Sequence, residues 1–236
     1  MNKDIFGLAI TDFYHHKYCE DIIVQAPDFD DDVIPVSYLF RSYDDMPAIE
    51  QKALDLAYGK ILDIGCGAGS HSLFLQEKQK LDVHAIDISK GAIEICKKRG
   101  LAKASTINIF DVKGMKYDTL LLLMNGSGII GKLSHIDHFF IHIKSILKDS
   151  GQILIDSSDI SYLFVEEDGG LWVDASAGYY GEMQYKLTYK NNKSDWFDWL
   201  YLDFNTLQNA ANAHGFLCEL IIEGSANDFL ARLTLV

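Results

Sequence analysis

The sequence predicts a doubly wound α/β fold, a mostly parallel sheet with helices on both faces. Three observations carry that expectation. From Gly59 onward, short apolar runs alternate with segments whose apolar residues recur at helical spacing, the order that crossover helices require. The run Leu120-Leu121-Leu122-Leu123 has no polar alternation, as expected of a central strand buried on both faces. The stretch from Lys60 to Ser70, Lys-Ile-Leu-Asp-Ile-Gly-Cys-Gly-Ala-Gly-Ser, leads from an apolar strand through spaced glycines into a helix.

In chain order, residues 1–58 precede the first core strand and hold all three prolines, Pro27, Pro35 and Pro47. The acidic run Asp28, Asp30, Asp31 and Asp32 reads as a solvated loop, and Pro35 to Tyr43 is aromatic with one arginine, Arg41. Pro47 opens a helix over Ala48–Tyr58 that Gly59 stops. Strand one then ends at Ile64, helix Ser70–Gln79 follows, and strand two is Leu81–Asp87. Helix Ser89–Arg99 is closed by Gly100, and strand three is Ser105–Phe110, ending in Asp111. Strand four is Asp118–Met124 and runs into Asn125-Gly126-Ser127-Gly128.

Helix His135–Lys148 carries an apolar stripe including Phe139, Phe140 and Ile143. His135, His138 and His142 lie beside that stripe and read as solvated. His138 and His142 have the spacing of a helical metal pair, but Phe139 stands where a zincin motif needs Glu, so no metal is expected. Strand five is Gly151–Asp156; Asp156 and Asp159 suit either a general base or a cap for a helix near Ile160. Within residues 160–204, Met183, Tyr185, Leu187 and Tyr189 alternate with polar residues and pair with Trp196–Leu202 as an inserted hairpin. Helix Asn205–His214 and a terminal hairpin, Phe216–Glu223 with Phe229–Val236, close the chain.

The glycine stretch narrows the chemistry. A dinucleotide fingerprint has glycines at its first, third and sixth positions, but position 70 is Ser and the third glycine is Gly69. Asp63-x-Gly65-x-Gly67-x-Gly69 resembles motif I of the class I S-adenosylmethionine (SAM) dependent methyltransferases. Asp87 lies 18 positions after Gly69, where a carboxylate accepts the hydroxyls of a ribose. The resemblance covers about residues 59–156 and 205–236. It implies a seven-stranded, mostly parallel sheet with an antiparallel last strand, an N-terminal helical lid, and an inserted β-hairpin after strand five. In that pattern 1–58 is the lid, 59–159 the cofactor-binding core, 160–204 the insertion and 205–236 the end of the core, all in one domain.

The same resemblance implies SAM as cofactor, S-adenosylhomocysteine (SAH) as product, and a set of contacts. Gly65, Cys66 and Gly67 would pass along the methionine portion, with Asp63 bracing the loop and the amino end. Asp87 would take the ribose hydroxyls, with Ile88 beside it. Asp111 would bond the adenine amine, with Phe110 and Val112 sandwiching the ring. Asn125 would contact the cofactor from the loop after strand four. Tyr38, Phe40, Arg41 and Tyr43 become lid residues, and Arg41 suits either a carboxylate ligand or a surface ion pair.

Composition bounds the acceptor. A chain of 236 residues with net charge −13 repels phosphate backbones, which disfavours nucleic acid and favours a small-molecule substrate. Cys19, Cys66, Cys96 and Cys218 are dispersed, with no Cys-x-x-Cys pair, which fits a reducing cytoplasm. No stretch approaches the ~20 apolar residues of a membrane span. A methyltransferase acting on a protein, a non-catalytic SAM-binding protein and a homodimer remain open. An NAD-linked oxidoreductase is disfavoured by Ser70 and by the terminal hairpin.

Overall fold

The computed structural model describes residues 3–16, 20–27, 29–164 and 178–236; Cys19, Asp28 and Trp172 lie outside the described residues. The chain runs through α1 (Ile5–His16), β1 (Ile22–Ala26), β2 (Phe29–Ile34), α2 (Ala48–Leu56), β3 (Lys60–Ile64), α3 (Ser70–Glu77), β4 (Asp82–Asp87), α4 (Lys90–Lys98) and β5 (Ala104–Thr106). It continues through β6 (Tyr117–Leu122), α5 (Ile136–Ile146), β7 (Leu147–Ser158), β8 (Glu182–Tyr189), β9 (Asn192–Lys193), β10 (Phe197–Leu200), α6 (Phe204–Ala213), β11 (Phe216–Glu223) and β12 (Asp228–Leu235).

The core is a seven-stranded sheet in the order β11-β12-β7-β6-β3-β4-β5. Strands β3 to β7 run parallel, and β12 enters antiparallel between β7 and β11. The chain winds outward from β3 through β4 to β5, then returns to β6 on the other flank of β3. The order therefore reverses between β3 and β6, where α/β sheets open a crevice at their carboxyl ends. Successive residues of one strand feed opposite faces. Leu62, Leu120 and Leu122 pack with Phe139, Phe140 and Ile143 of α5, whereas Ile61 and Leu121 pack with Ile49, Ala53 and Leu54 of α2 and Leu75 of α3. Each such side chain, fully buried, contributes about 1.5–3 kcal/mol.

A second sheet joins the two flanking segments, in the order β10-β8-β1-β2 with β9 on β8. Its existence corrects the reading of Asp30, Asp31 and Asp32 as loop. They form β2, which pairs with β1 through Ile22↔Ile34 and Val24↔Asp32. All three are exposed, so the strand has no buried alternation to betray it, and its charges blunt an open sheet edge. Strand β1 pairs in turn with β8, Val24 opposite Leu187, so the expected hairpin is one part of a larger sheet. Strand three is shorter than expected, ending at Thr106. Asn108 then accepts a hydrogen bond from the Phe110 amide (3.0 Å) and caps a 3-10 turn over Ile109–Asp111.

Helix α1 carries this sheet on the core. Ile5 and Ala9 pack with Ile22, Val36, Leu187 and Tyr189. Asp4 accepts hydrogen bonds from Gly7 N (2.8 Å) and from Gly91 N (3.0 Å), so one carboxylate caps α1 and ties it to α4. A Cβ on Gly91 would lie 2.7 Å from Gly7 Cα, so the two backbones meet where only glycine fits. Gly91→Ala should therefore lower unfolding stability by about 1–3 kcal/mol in urea titration, despite the better helix propensity of Ala, because backbone cannot yield as a side chain can.

Candidate cofactor and acceptor site

The carboxyl end of β3 delivers the glycine loop, and its shape follows from backbone chemistry. Gly65, Gly67 and Gly69 all have positive φ (+76°, +52° and +82°). A Cβ on Gly69 would lie 2.8 Å from Leu101 and 2.9 Å from Cys96, but one on Gly67 would meet nothing within 4 Å. Gly69 is thus fixed by packing, whereas Gly67 faces open space, the condition for a ligand to approach the backbone. The Gly65 and Cys66 amides both donate to Ile86 O (2.9 and 3.1 Å), which pins the loop to β4. The Cys66 side chain turns into the protein, with its sulfur 3.8 Å from Cys96 Sγ. The hydrogen bond to Cys96 and burial push the Cys66 thiol well above its ordinary pKa, so it is an inert packing group.

Two carboxylates brace this loop. Asp63 is buried and accepts a hydrogen bond from the Ser72 hydroxyl (2.6 Å), joining β3 to the first turn of α3. Burial raises its pKa, while the charge of His71 and the bond from Ser72 act against that rise. Asp87 accepts Gly67 N on Oδ2 (2.9 Å) and Ser89 N on Oδ1 (2.8 Å). Each oxygen keeps a second lone pair for a hydroxyl. Burial raises the Asp87 pKa, against the pull of the Ser89 and Gly67 amides. Ile88, next in sequence, is 74% exposed, an apolar side chain presented to solvent beside that carboxylate.

Asp111 is exposed on its 3-10 turn, and Val112 is buried in the core. Phe110, half-buried on the same 3-10 turn, stacks one ring face on His138 of α5 (centroids 4.8 Å apart). His142 Nε2 pairs with Ile109 O at 2.8 Å, so this half-buried histidine holds the same turn rather than standing in solvent. No group of three metal-ligating side chains occurs among the described residues.

The loop after β6 is strained and clamped. Met124 and Asn125 are both left-handed (φ +65° and +57°), unusual for two successive non-glycine residues. Asp156, buried at the end of β7, accepts Met124 N (3.0 Å) and Gly126 N (2.9 Å). Asn125 Oδ1 accepts the Ser158 hydroxyl (2.8 Å). Asp159 makes the capping contact expected near Ile160, accepting Ser161 N (2.9 Å) at the start of a short 3-10 helix, whereas Asp156 is turned to the loop after β6. A Cβ on Gly128 would lie 1.9 Å from Trp199, so the indole of β10 lies directly on the loop.

Arg41 is neither a surface residue nor a free one. It is 9% exposed, bonded to both oxygens of Glu50 and to Tyr38 O (2.5 Å), with its guanidinium carbon 3.8 Å from the Tyr38 ring centre. His71 Nε2 completes the cluster, 2.6 Å from Glu50. Burial works to raise the Glu50 pKa, but the hydrogen bond and charge of His71, with those of Arg41, outweigh it and hold the carboxyl below its usual value. Glu50 and His71 carried no motif in the sequence; a carboxylate on a helix facing the sheet was the only signal. Arg41 Nε is buried with no hydrogen-bond partner among the described residues.

Asp156 makes the site sensitive to pH. Burial raises its pKa from 3.8 to about 6. A raised carboxylate favours folding when protonated, so that contribution is present below about 4 and lost as pH rises through about 6. Relative to Asp156→Asn, wild type should therefore gain about 1.4 kcal/mol of unfolding stability per pH unit as pH falls from about 6 towards 4. Parallel urea titrations across that range would show a flat difference were Asp156 ionised throughout.

Comparison with known proteins agrees with this geometry. A family model described as a methyltransferase domain matches residues 61–151. A search of curated proteins returned no match. Among solved structures, a SAM-dependent methyltransferase from Bacteroides fragilis, crystallised with SAH, is 46% identical, covers 99% of this chain and 95% of its own, and superposes with a TM-score of 0.93. DesVI of Streptomyces venezuelae (14% identity, 80% and 91% coverage, TM-score 0.57) shares the fold. So does a SAM-dependent methyltransferase of Clostridium acetobutylicum (13%, 81% and 93%, 0.57). With its sheet order, glycine loop and a near full-length relative, this chain belongs to the SAM-dependent methyltransferases.

Proposed function

We propose that the chain binds SAM across the carboxyl ends of β3 to β6 and transfers its methyl group to a small molecule in the cytoplasm. The observation that carries the cofactor assignment is the Gly67 amide donating to Asp87, which makes the glycine loop and the ribose carboxylate one unit. In this reading Asp87 receives the ribose hydroxyls and Ile88 covers one face of the adenine. Asp111, exposed on its turn, accepts from the exocyclic amine. Gly65, Cys66 and Gly67 line the methionine portion with backbone, Asp63 holds the loop from below, and Asn125 borders the reacting end. The buried Arg41 Nε supplies a donor for the methionine carboxylate, a guanidinium being suited to that partner.

Bound SAM supplies a sulfonium methyl that is already a strong electrophile. The chain's own part is to position the acceptor and exclude water. The second sheet supports a small acceptor, because β10 is stitched to the loop after β6. Ser127 Oγ donates to Leu200 O (2.9 Å), and Leu202 N donates to Ser157 Oγ (2.8 Å). Net charge −13 supports the exclusion of nucleic acid. Among the described residues no helix is long and apolar enough to cross a membrane.

The test is Asp87→Ala, read by isothermal titration with SAM and SAH. Loss of two hydrogen bonds to a charged acceptor should weaken both ligands by about a hundredfold or more. A urea melt of the variant separates a lost ribose contact from a loosened glycine loop, since Asp87 also accepts Gly67 N and Ser89 N, and unchanged affinity would reject the ribose assignment.

A further inference from the structure

We propose that the acceptor is an amine, held as its ammonium ion by Asp159 against a wall of tyrosines and methylated on nitrogen. This rests on the cofactor reading above and names the substrate class of the same site. The placement follows from β7. Ser158 bonds Asn125 of the loop that borders the reacting end, and Asp159 is the next residue. Asp159 Oδ1 accepts from Ser161 N and from the Tyr180 hydroxyl (both 2.9 Å). Its Oδ2 has no hydrogen-bond partner among the described residues, on a side chain that is only half-buried.

Aromatic rings extend from that carboxylate. Tyr180 packs on Tyr179 (centroids 4.7 Å) and edge-on to Phe164 (6.2 Å), which meets Phe29 of β2 (6.1 Å). The hydroxyl of Tyr185 on β8 donates to that of Tyr201, the residue after β10 (3.2 Å), and Tyr162, 52% exposed, acts electrostatically on both. Besides one another, these rings have carboxylates for neighbours: Asp159 and Asp203 act on Tyr180, and Asp32 acts on Tyr185 and Tyr201. Burial and then these neighbours raise the pKa of all three phenols, so each stays a neutral ring with an intact O–H at physiological pH. Arg41, the guanidinium beside Tyr38, is already paired with Glu50.

Ring faces and carboxylates both attract cations, and an anionic acceptor would meet the Asp159 carboxylate. An amine also suits a site whose best-placed carboxylates are engaged in capping. A hydroxyl must lose a tightly held proton as it attacks. An ammonium gives one proton to solvent beforehand, and its nitrogen lone pair then forms the N–C bond while the S–C bond breaks. Positive charge passes from sulfur to nitrogen, and Asp159 meets it there.

The experiment uses the full chain saturated with SAH and three carbon skeletons, each as amine, alcohol and carboxylate. These are cyclohexylamine, cyclohexanol and cyclohexanecarboxylate; 2-phenylethylamine, 2-phenylethanol and phenylacetate; and glucosamine, glucose and glucuronate. Titration calorimetry should show an amine binding about tenfold or more tighter than both its counterparts in at least one skeleton. With SAM in place of SAH, mass spectrometry should find that amine N-methylated. Asp159→Asn, which keeps the Oδ1 acceptor for Ser161 and Tyr180, should erase the preference while leaving SAH affinity unchanged. No preferred amine in any skeleton, or a preference that survives Asp159→Asn, overturns the proposal with the cofactor reading intact. Failure of SAH itself to bind overturns both.

Discussion

The hydrogen bond from the Gly67 amide to the Asp87 carboxylate is the constraint around which the rest of the chain is arranged. Its donor belongs to the loop leaving β3 and its acceptor to the last residue of β4, so it fixes the two strands' carboxyl ends to each other. The other oxygen of Asp87 takes Ser89 N, and Ser89 in turn caps α4 by accepting Ala92 N (3.0 Å). Helix α4 then carries α1 at the Gly7–Gly91 contact, and α1 carries the second sheet. On the other side, Ser70 at the start of α3 donates to Leu39 O (2.8 Å), holding the N-terminal segment over the glycine loop. One carboxylate thus links the cofactor loop to everything that covers it. Its desolvation is the cost, and its raised pKa records that cost.

The loop after β6 answers to a different carboxylate. Two left-handed residues in succession cost on the order of 1–3 kcal/mol each, and they persist only where the surroundings dictate them. Asp156 does so by taking the amides on both sides of Asn125. Trp199 adds a lid that tolerates no side chain at Gly128. The strain therefore sits in the loop that borders the reacting end in the proposed reading, and the anchors that hold it come from both the core sheet and the insertion.

What the sequence reveals follows from where the determining contacts lie. Motif I, the leucine run of β6 and the stripe of α5 were legible because each depends on neighbours within a few residues. Their burial matches the pattern, with Leu120, Leu121 and Leu122 fully buried. Strand β2 was not legible, because Asp30 to Asp32 form a strand only by pairing with β1, and β1 is held by β8 over 150 residues away. Of the two roles open to Arg41, the surface ion pair is the one its burial excludes, and the sequence did not show that for the same reason. Its burial depends on Glu50 and on His71, which no local pattern connects to it. Of the candidate cofactor residues, all stand at the carboxyl ends of β3 to β6, where the motif spacing put them. Phe110 stands on a 3-10 turn instead of in the strand expected for it, because Asn108 caps that turn.

The second sheet changes how a cover over such a site should be understood. A lid hinged on one segment can open without disturbing the chemistry. Here β1 and β2 come from the N-terminal segment and β8 to β10 from the insertion, and backbone hydrogen bonds unite them into one sheet. That sheet is stitched to the reacting loop through Ser127, Ser157 and Trp199. Moving the cover as a body would pull on the strained residues Met124 and Asn125. In the proposed reading, acceptor selection and methyl positioning are therefore mechanically joined. Changes in β8 or β10 that reshape the acceptor side will be felt at Asn125, and looser acceptor fit will come with looser cofactor geometry rather than independently of it.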